Sequence, residues 1–160
     1  ELVLEEHGLE GSGEDQKRTA GRLAELFREF GWSTDRTPPE AVAEAVAASR
    51  VRNQVLGFLG EWYWNGKAPW VQSALELSRR RAGGVLARWQ DLRDRKDHAG
   101  LAEFAASPEA LEIGPEQICQ LGHDFDVPRQ PGVRIALLRR AADRRAGRGR
   151  HVPGGRRDGP

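Results

Sequence analysis

The stretch LAELFREFG, residues 23–31, decides the fold class. Its apolar residues recur at intervals of three and four, which places them on one face of a helix. They are Leu23, Leu26, Phe27 and Phe30. Gly31 then ends the pattern. The spacing predicts an amphipathic helix that begins near Arg18 and buries one apolar face.

Helical spacing continues along the rest of the chain, interrupted by short turns rich in glycine and proline. A second helix is predicted after residues 37–40, where the Thr37 hydroxyl and the Glu40 carboxylate would form a capping box. Further on, Trp89 and Leu92 fall on one helical face, so both are expected in the core. No segment shows a sustained alternation of period two. We therefore predict an all-α protein of stacked antiparallel helical hairpins over residues 17–146.

Charge is distributed unevenly along the 160 residues. The chain has a formal net charge of +1, but residues 1–128 hold 15 basic and 22 acidic side chains, a net charge of −7. Residues 129–160 hold ten arginines and two aspartates, a net charge of +8. The acidic, glycine-containing residues 1–16 are predicted to be a flexible lead-in, and the Arg/Gly-rich residues 147–160 a disordered tail.

Few residues could carry catalysis. Cys119 is the single cysteine, which excludes an internal disulfide, and its place on a packing helix predicts a buried thiol. His123 stands beside Asp124, a pair that could bind a metal, but we favour its interpretation as a polar helix end. The chain contains no glycine-rich phosphate loop and no His-Arg-Asp string. We therefore predict no enzymatic activity, no catalytic or metal-binding residue and no cofactor.

Aromatic residues cluster in the middle of the sequence. Consecutive aromatic residues of a helix cannot all face one core, so at least one is expected at the surface. Two interpretations stay open: the rings close the junction between two helices, or they form a docking surface for another polypeptide. The residues concerned are Trp62, Tyr63, Trp64 and Trp70.

The last two predicted helices follow the spacing of one tetratricopeptide repeat. The motif W-x2-L-G-x2-Y describes the first helix of an antiparallel pair in which small residues allow a close approach. Here isoleucine takes the tryptophan position, Arg134 replaces a small residue, and Ala146 replaces the closing proline, so the repeat is degenerate. The predicted packing positions are Ile118, Leu121, Gly122, Phe125, Leu138 and Ala141.

A broader resemblance covers the chain from Leu26 to Arg145. It is carried by residues 27–31, 39–43, 48–52, 88–93, 100–105 and 135–141, together with the aromatic helix that holds Trp62. This stretch resembles the helical region that follows the catalytic domain in planctomycete-type bacterial serine/threonine kinases with tetratricopeptide repeats. The resemblance implies a non-catalytic scaffold beside a kinase domain, and it transfers no catalytic residue to this chain.

Two functions are consistent with these patterns. The leading hypothesis is a protein-interaction or scaffold module that binds a protein or peptide. The partner could be a kinase domain in the same longer chain. The alternative is nucleic-acid association through residues 129–157. In that case the predicted phosphate contacts are Arg139, Arg140, Arg144 and Arg145.

Two further features bear on location and origin. The longest apolar runs fall far short of the roughly 20 residues that a membrane-spanning helix needs, so no membrane span is predicted. A single cysteine suits a reducing compartment, and we expect a cytoplasmic protein. Methionine is absent, position 1 included, which favours a section of a longer protein.

Overall fold

The computed structural model describes residues 10–125 and 130–148. Within these ranges the chain forms eight α-helices, one 3-10 helix and no strand, so the predicted all-α class is confirmed. The helices are α1 (Glu10–Glu29), α2 (Pro39–Ala48), α3 (Arg52–Gly66), α4 (Pro69–Ala82), α5 (Gly84–Asp94), α6 (His98–Ala106), α7 (Pro115–His123) and α8 (Pro131–Arg148). The 3-10 helix spans Glu109–Glu112, between α6 and α7.

Packing contacts divide the chain into two units, Glu1–Asp97 and His98–Pro160. In the first unit α1 packs against α3, α2 against α4, and α4 also against α3 and α5. In the second unit α8 packs against α6 and α7. The single helical domain predicted over residues 17–146 is therefore divided. The boundary falls at residues 93–97, where every side chain is charged and none can extend an apolar core.

Both ends of the helical region differ from the prediction. The first helix begins at Glu10 instead of near Arg18, so part of the predicted flexible lead-in is helical. Apolar spacing could not reveal residues 10–17 as helical, because they contain no large apolar side chain. An ion pair between Asp15 and Arg18 lies in this part of the helix. At the other end α8 continues to Arg148, two residues into the predicted disordered tail. Residues 1–9 and 149–160 lie outside the described residues.

The predicted capping box is not formed. Helix α2 begins one residue later than expected, with Pro38 as its N-cap and no side-chain cap. The Thr37 hydroxyl instead accepts a hydrogen bond from the backbone N–H of Ser33 and donates one to the carbonyl of Gly31. These two hydrogen bonds stabilise the turn between α1 and α2. Thr37 is not the N-cap, because Pro38 takes that position and α2 begins at Pro39.

The core of the first unit lies along α4. Val71, Ala74 and Leu75 are buried on this helix, which contacts α2, α3 and α5. On α5, Trp89 and Leu92 are both buried, so the predicted shared face is confirmed. An amphipathic face buried against several neighbours provides most of the stability of such helices.

A glycine pair separates α4 from α5. Gly83 has φ 71° and ψ −167°, and Gly84 has φ 55°. The conformation of Gly83 belongs to a region that only glycine occupies readily. The direction in which α5 leaves α4 therefore depends on a residue that has no side chain.

Candidate interaction surfaces

Four rings form a stack inside the first unit. The ring of Phe27 lies 5.7 Å from that of Trp32 and 5.3 Å from that of Trp62, both nearly parallel to it. Trp62 in turn lies 5.7 Å from Trp70 at a tilt of 51°. The indole N–H of Trp70 donates a hydrogen bond of 2.7 Å to the carbonyl of Thr37. These rings join α1, α3 and α4 to the turn before α2; Phe27 and Trp62 are buried in the core, and Trp32 and Trp70 are half-buried.

The remaining two aromatic residues of the predicted cluster lie nearer the surface. Trp64 is 41% exposed and Tyr63 is half-buried. The Lys67 ammonium lies 3.8 Å from the Trp64 ring centroid and 5.2 Å from that of Tyr63, and desolvation lowers the pKa of Lys67. The structure therefore divides the four predicted residues: Trp62 and Trp70 close a helix junction, whereas Trp64 is partly exposed and lies under the Lys67 ammonium.

A second exposed surface lies at the beginning of α3. Val51, Val55, Phe58 and Trp62 follow one another at helical intervals and form one apolar stripe. Trp62 is buried, but Phe58 is 46% exposed and Val51 is 52% exposed. Phe30, at the end of α1, is 69% exposed. We call Val51, Val55 and Phe58 the α3 apolar surface.

The position of α1 explains why only one end of this stripe is covered. A Cβ built on Gly66 would lie 3.3 Å from the Cβ of Ala20, so the two helices approach closely near the end of α3. The next contact along α1 joins Phe27 to Trp62, which makes the two helices antiparallel. Helix α1 ends at Glu29, before it reaches the first turns of α3. The apolar stripe of α3 is visible in the sequence, but nothing in the sequence indicates how much of that stripe α1 covers.

A polar cluster joins α4 to α5; Arg79 and Gln90 are buried, whereas Arg80 and Asp94 are partly exposed. The Arg79 guanidinium, buried in the core, lies 3.9 Å from the Trp89 ring centroid and donates a hydrogen bond to Gln90. Gln90 donates to Asp94, which also pairs with Arg80. Burial raises the pKa of Asp94, but the hydrogen bonds from Arg80 and Gln90 lower it by more, so the pKa lies below its usual value. The cluster connects two helices within one core and is structural.

The predicted repeat residues of the second unit are placed unequally. Ile118, Leu121, Gly122 and Phe125 are buried on or just after α7. A Cβ built on Gly122 would lie 3.5 Å from Cγ of Arg134, an ordinary contact with a flexible side chain. Ala141 is half-buried.

Leu138 was predicted to be a packing position of the repeat, but the structure places it at the surface. It is 37% exposed, and its neighbour Leu137 is the buried residue of α8. Leu137 points into the core of the second unit. Because neighbouring residues on a helix are separated by about 100°, Leu138 lies at the edge of that packed side.

The four predicted phosphate contacts also differ in their surroundings. Arg140 donates hydrogen bonds of 2.7 Å and 2.9 Å to the carbonyls of Ala105 and Ser107, at the end of α6. Its guanidinium is thus engaged within the second unit and satisfies backbone acceptors that a helix end leaves open. Arg139, Arg144 and Arg145 are exposed on α8.

The residues considered for catalysis give no assembled site in the described ranges. Cys119 is exposed, so the prediction of a buried thiol is wrong. It follows Ile118 on α7, and the neighbouring position of the helix points away from the buried face. In residues 10–125 and 130–148, no group of three or more His, Cys, Asp and Glu side chains could hold a metal ion. No helix of these residues combines the length and apolar character needed to cross a membrane.

Comparison of the chain with protein-family models, with curated proteins and with solved structures gives no match. Inferences about the function of this chain therefore rest on its own surfaces.

Proposed function

We propose that this chain is a non-catalytic helical module that binds another polypeptide at the α3 apolar surface. The observation that carries the proposal is the exposure of Val51 and Phe58 on the part of the stripe that α1 does not cover. Large apolar residues grouped on a small unit often mark an interaction site. Phenylalanine and valine side chains on one helical stripe would be anchors for a partner helix, which would continue the cover that α1 begins.

The packing order of the first unit supports a repeat-like scaffold. Helices two apart in the chain are neighbours, since α1 packs on α3 and α2 on α4. Stacked helical hairpins contain contacts of this kind, and α3 also packs on α4 and α4 on α5. Such stacks often act as binding scaffolds. The tetratricopeptide-like arrangement is thus part of the proposal.

The kinase context is a further part of the proposal and has its own test. It is supported by the resemblance to helical regions of bacterial serine/threonine kinases. We expect the coding sequence upstream of Glu1 to encode a kinase catalytic domain in the same reading frame. An upstream stop codon close to Glu1 would contradict the kinase context, although it would leave polypeptide binding untouched.

The binding function can be tested at Phe58. Partners recovered from native lysate would be identified, purified and titrated against the wild-type chain by calorimetry. We expect Phe58→Glu to weaken binding by about tenfold or more, because it places a charge at the centre of the contact. Ser73→Glu on α4 serves as the matched control, since Ser73 is exposed on another helix.

The specificity of this test depends on both variants folding, which far-UV circular dichroism checks. A photo-crosslinking residue at position 58 should join the same partner, whereas one at position 73 should not. Equal affinity of the Phe58→Glu and wild-type chains, or a failure to recover any polypeptide partner, would overturn the proposed function.

A further inference from the structure

Helix α8 has one side that is fixed to the second unit. Leu137 is buried on this side, and Arg140 donates two hydrogen bonds to carbonyls at the end of α6. Arg134 contributes to the same side, where its side chain faces Gly122. The burial of Leu137 and the contacts of the two arginines therefore fix the rotation of α8 about its own axis.

Another side of α8, adjoining Arg134, is apolar and exposed. Ile135 is 49% exposed, Leu138 is the exposed neighbour of Leu137, and Ala142 is exposed as well. Since successive residues on a helix are about 100° apart, these three fall within an arc of roughly 60°. The same geometry places Arg145 beside one edge of this arc and Arg139 beside the other. We call these five residues the outer face of α8.

We propose that the outer face of α8 binds an amphipathic helix whose apolar stripe is flanked by carboxylates. Ile135, Leu138 and Ala142 would pack against the stripe, and Arg139 and Arg145 would pair with acidic residues along its two edges. This is the charge arrangement that sets partner choice between paired helices. The inference deepens the polypeptide-binding function proposed above, but it concerns the other unit and states the chemistry of the partner.

The C-terminal residues of the chain and a second copy of α8 are poorer occupants. Residues 149–160 contain one aliphatic side chain, Val152, and three arginines, so they offer neither an apolar stripe nor matching charge. In a symmetric pair of α8 helices, Arg139 and Arg145 would meet the arginines of the second copy, which is unfavourable. Neither the C-terminal residues nor a second α8 therefore has the chemistry of the proposed partner.

A phosphate-rich partner fits the outer face less well than a helix does. Contacts to nucleic-acid phosphates use cations and polar groups, and they leave Ile135 and Leu138 without a role. One of the four arginines predicted to contact phosphate, Arg140, is also committed to backbone carbonyls. An anionic membrane would use both kinds of side chain, but two large apolar residues give little insertion energy.

The test uses the full chain and two synthetic helical peptides that share one leucine stripe. One peptide carries glutamate on both flanks of the stripe, and the other carries lysine at the same positions. Fluorescence anisotropy of the labelled peptides gives the dissociation constants. We expect the glutamate peptide to bind and the lysine peptide to bind at least about tenfold more weakly, with the difference shrinking as salt is raised.

Variants assign the binding to the outer face. Leu138→Gln should weaken binding of the glutamate peptide by about tenfold, whereas Ala136→Gln, at an exposed position on another side of α8, should change it less than about twofold. The double charge reversal Arg139→Glu with Arg145→Glu should invert the preference, so that the lysine peptide binds more tightly. Phe58→Glu should leave both affinities unchanged, which separates this proposal from the one on the first unit.

Several outcomes would overturn the proposal. They are equal affinity for the two peptides, no binding of either, and no inversion by a double variant that retains its helical content. Tighter binding of duplex DNA or of phosphatidylserine vesicles than of the glutamate peptide, lost in the same double variant, would assign the face to phosphate groups instead. Dimer formation abolished by Leu138→Gln would assign it to a second copy.

Discussion

The replacement of Trp89 by alanine tests the core of the first unit at its most enclosed aromatic residue. The Trp89 side chain is fully buried on α5, and the Arg79 guanidinium from α4 lies over its ring. The variant would therefore remove a large apolar volume and, in the same step, the surface that a buried cation contacts.

The expected cost can be worked from these two contacts. Truncation of a buried tryptophan to alanine costs about 3–5 kcal/mol through lost apolar burial and the cavity left behind. A desolvated cation–π contact contributes about 2 kcal/mol. Because neighbouring contributions do not add fully, we expect a destabilisation of about 5 kcal/mol, the upper end of the truncation range. A loss of this size is comparable with the whole stability of a small domain.

The position of the tryptophans provides a selective assay. All five tryptophans lie in residues 1–97, so intrinsic tryptophan fluorescence during urea denaturation reports the first unit. Trp64→Ala is the matched control, because it removes the same side chain from a partly exposed site. We expect it to cost about 1–2 kcal/mol, in line with its smaller burial.

The result that refutes this reasoning is a Trp89→Ala variant within about 1 kcal/mol of the wild type, the scale of an average substitution. Such a variant would mean that α5 does not present Trp89 to α4. Arg79→Met gives a second measurement: an apolar side chain of similar length should be tolerated far better than the loss of the ring.

Three other substitutions have defined expectations. Gly122→Ala should stabilise the chain by about 0.5–1 kcal/mol in thermal denaturation, because the new methyl group would meet only the flexible side chain of Arg134 within a helix; a loss would show that close helix approach requires the glycine. Arg140→Ala should cost about 1.5–3 kcal/mol and speed amide hydrogen exchange in α6 and α8, since it deletes two hydrogen bonds from a charged donor; unchanged exchange would contradict this role. The lowered pKa of Asp94 means that its pairing with Arg80 stabilises the fold above the unfolded pKa of about 3.9 and is lost as pH falls through the folded value. Asp94→Asn should therefore make the urea midpoint less dependent on pH below about pH 4, and an unaltered pH profile would contradict the pairing.

The sequence predicted the apolar faces where one helix decides its own environment. Leu23 and Phe27 follow the helical period and are buried, as are Trp89 and Leu92. Phe30, predicted on the same face as Leu23, is 69% exposed because α1 ends at Glu29. Such positions can be predicted because the period of side chains on a helix is fixed by its backbone geometry. The same local reasoning explains the error at Thr37, where two prolines moved the helix start by one residue.

The candidate surfaces could not be predicted, because exposure depends on partners far away in the chain. Phe58 belongs to the same stripe as Trp62, and only the end point of α1 decides which of the two is covered. Leu137 and Leu138 are equally apolar, and the hydrogen bonds of Arg140 show which way α8 is turned. Periodicity identifies an apolar face, but the tertiary contacts determine what lies against it.

The backbone conformation at Gly83 limits which residue types can occupy this position. A Cβ added there would touch no atom within 4 Å, so space alone would permit any small residue. The φ and ψ angles nevertheless exclude nearly all of them, since the conformation suits a residue without a Cβ. A saturation mutagenesis library should consequently accept alanine at the buried but regular Gly122, and almost no other residue at the open position 83.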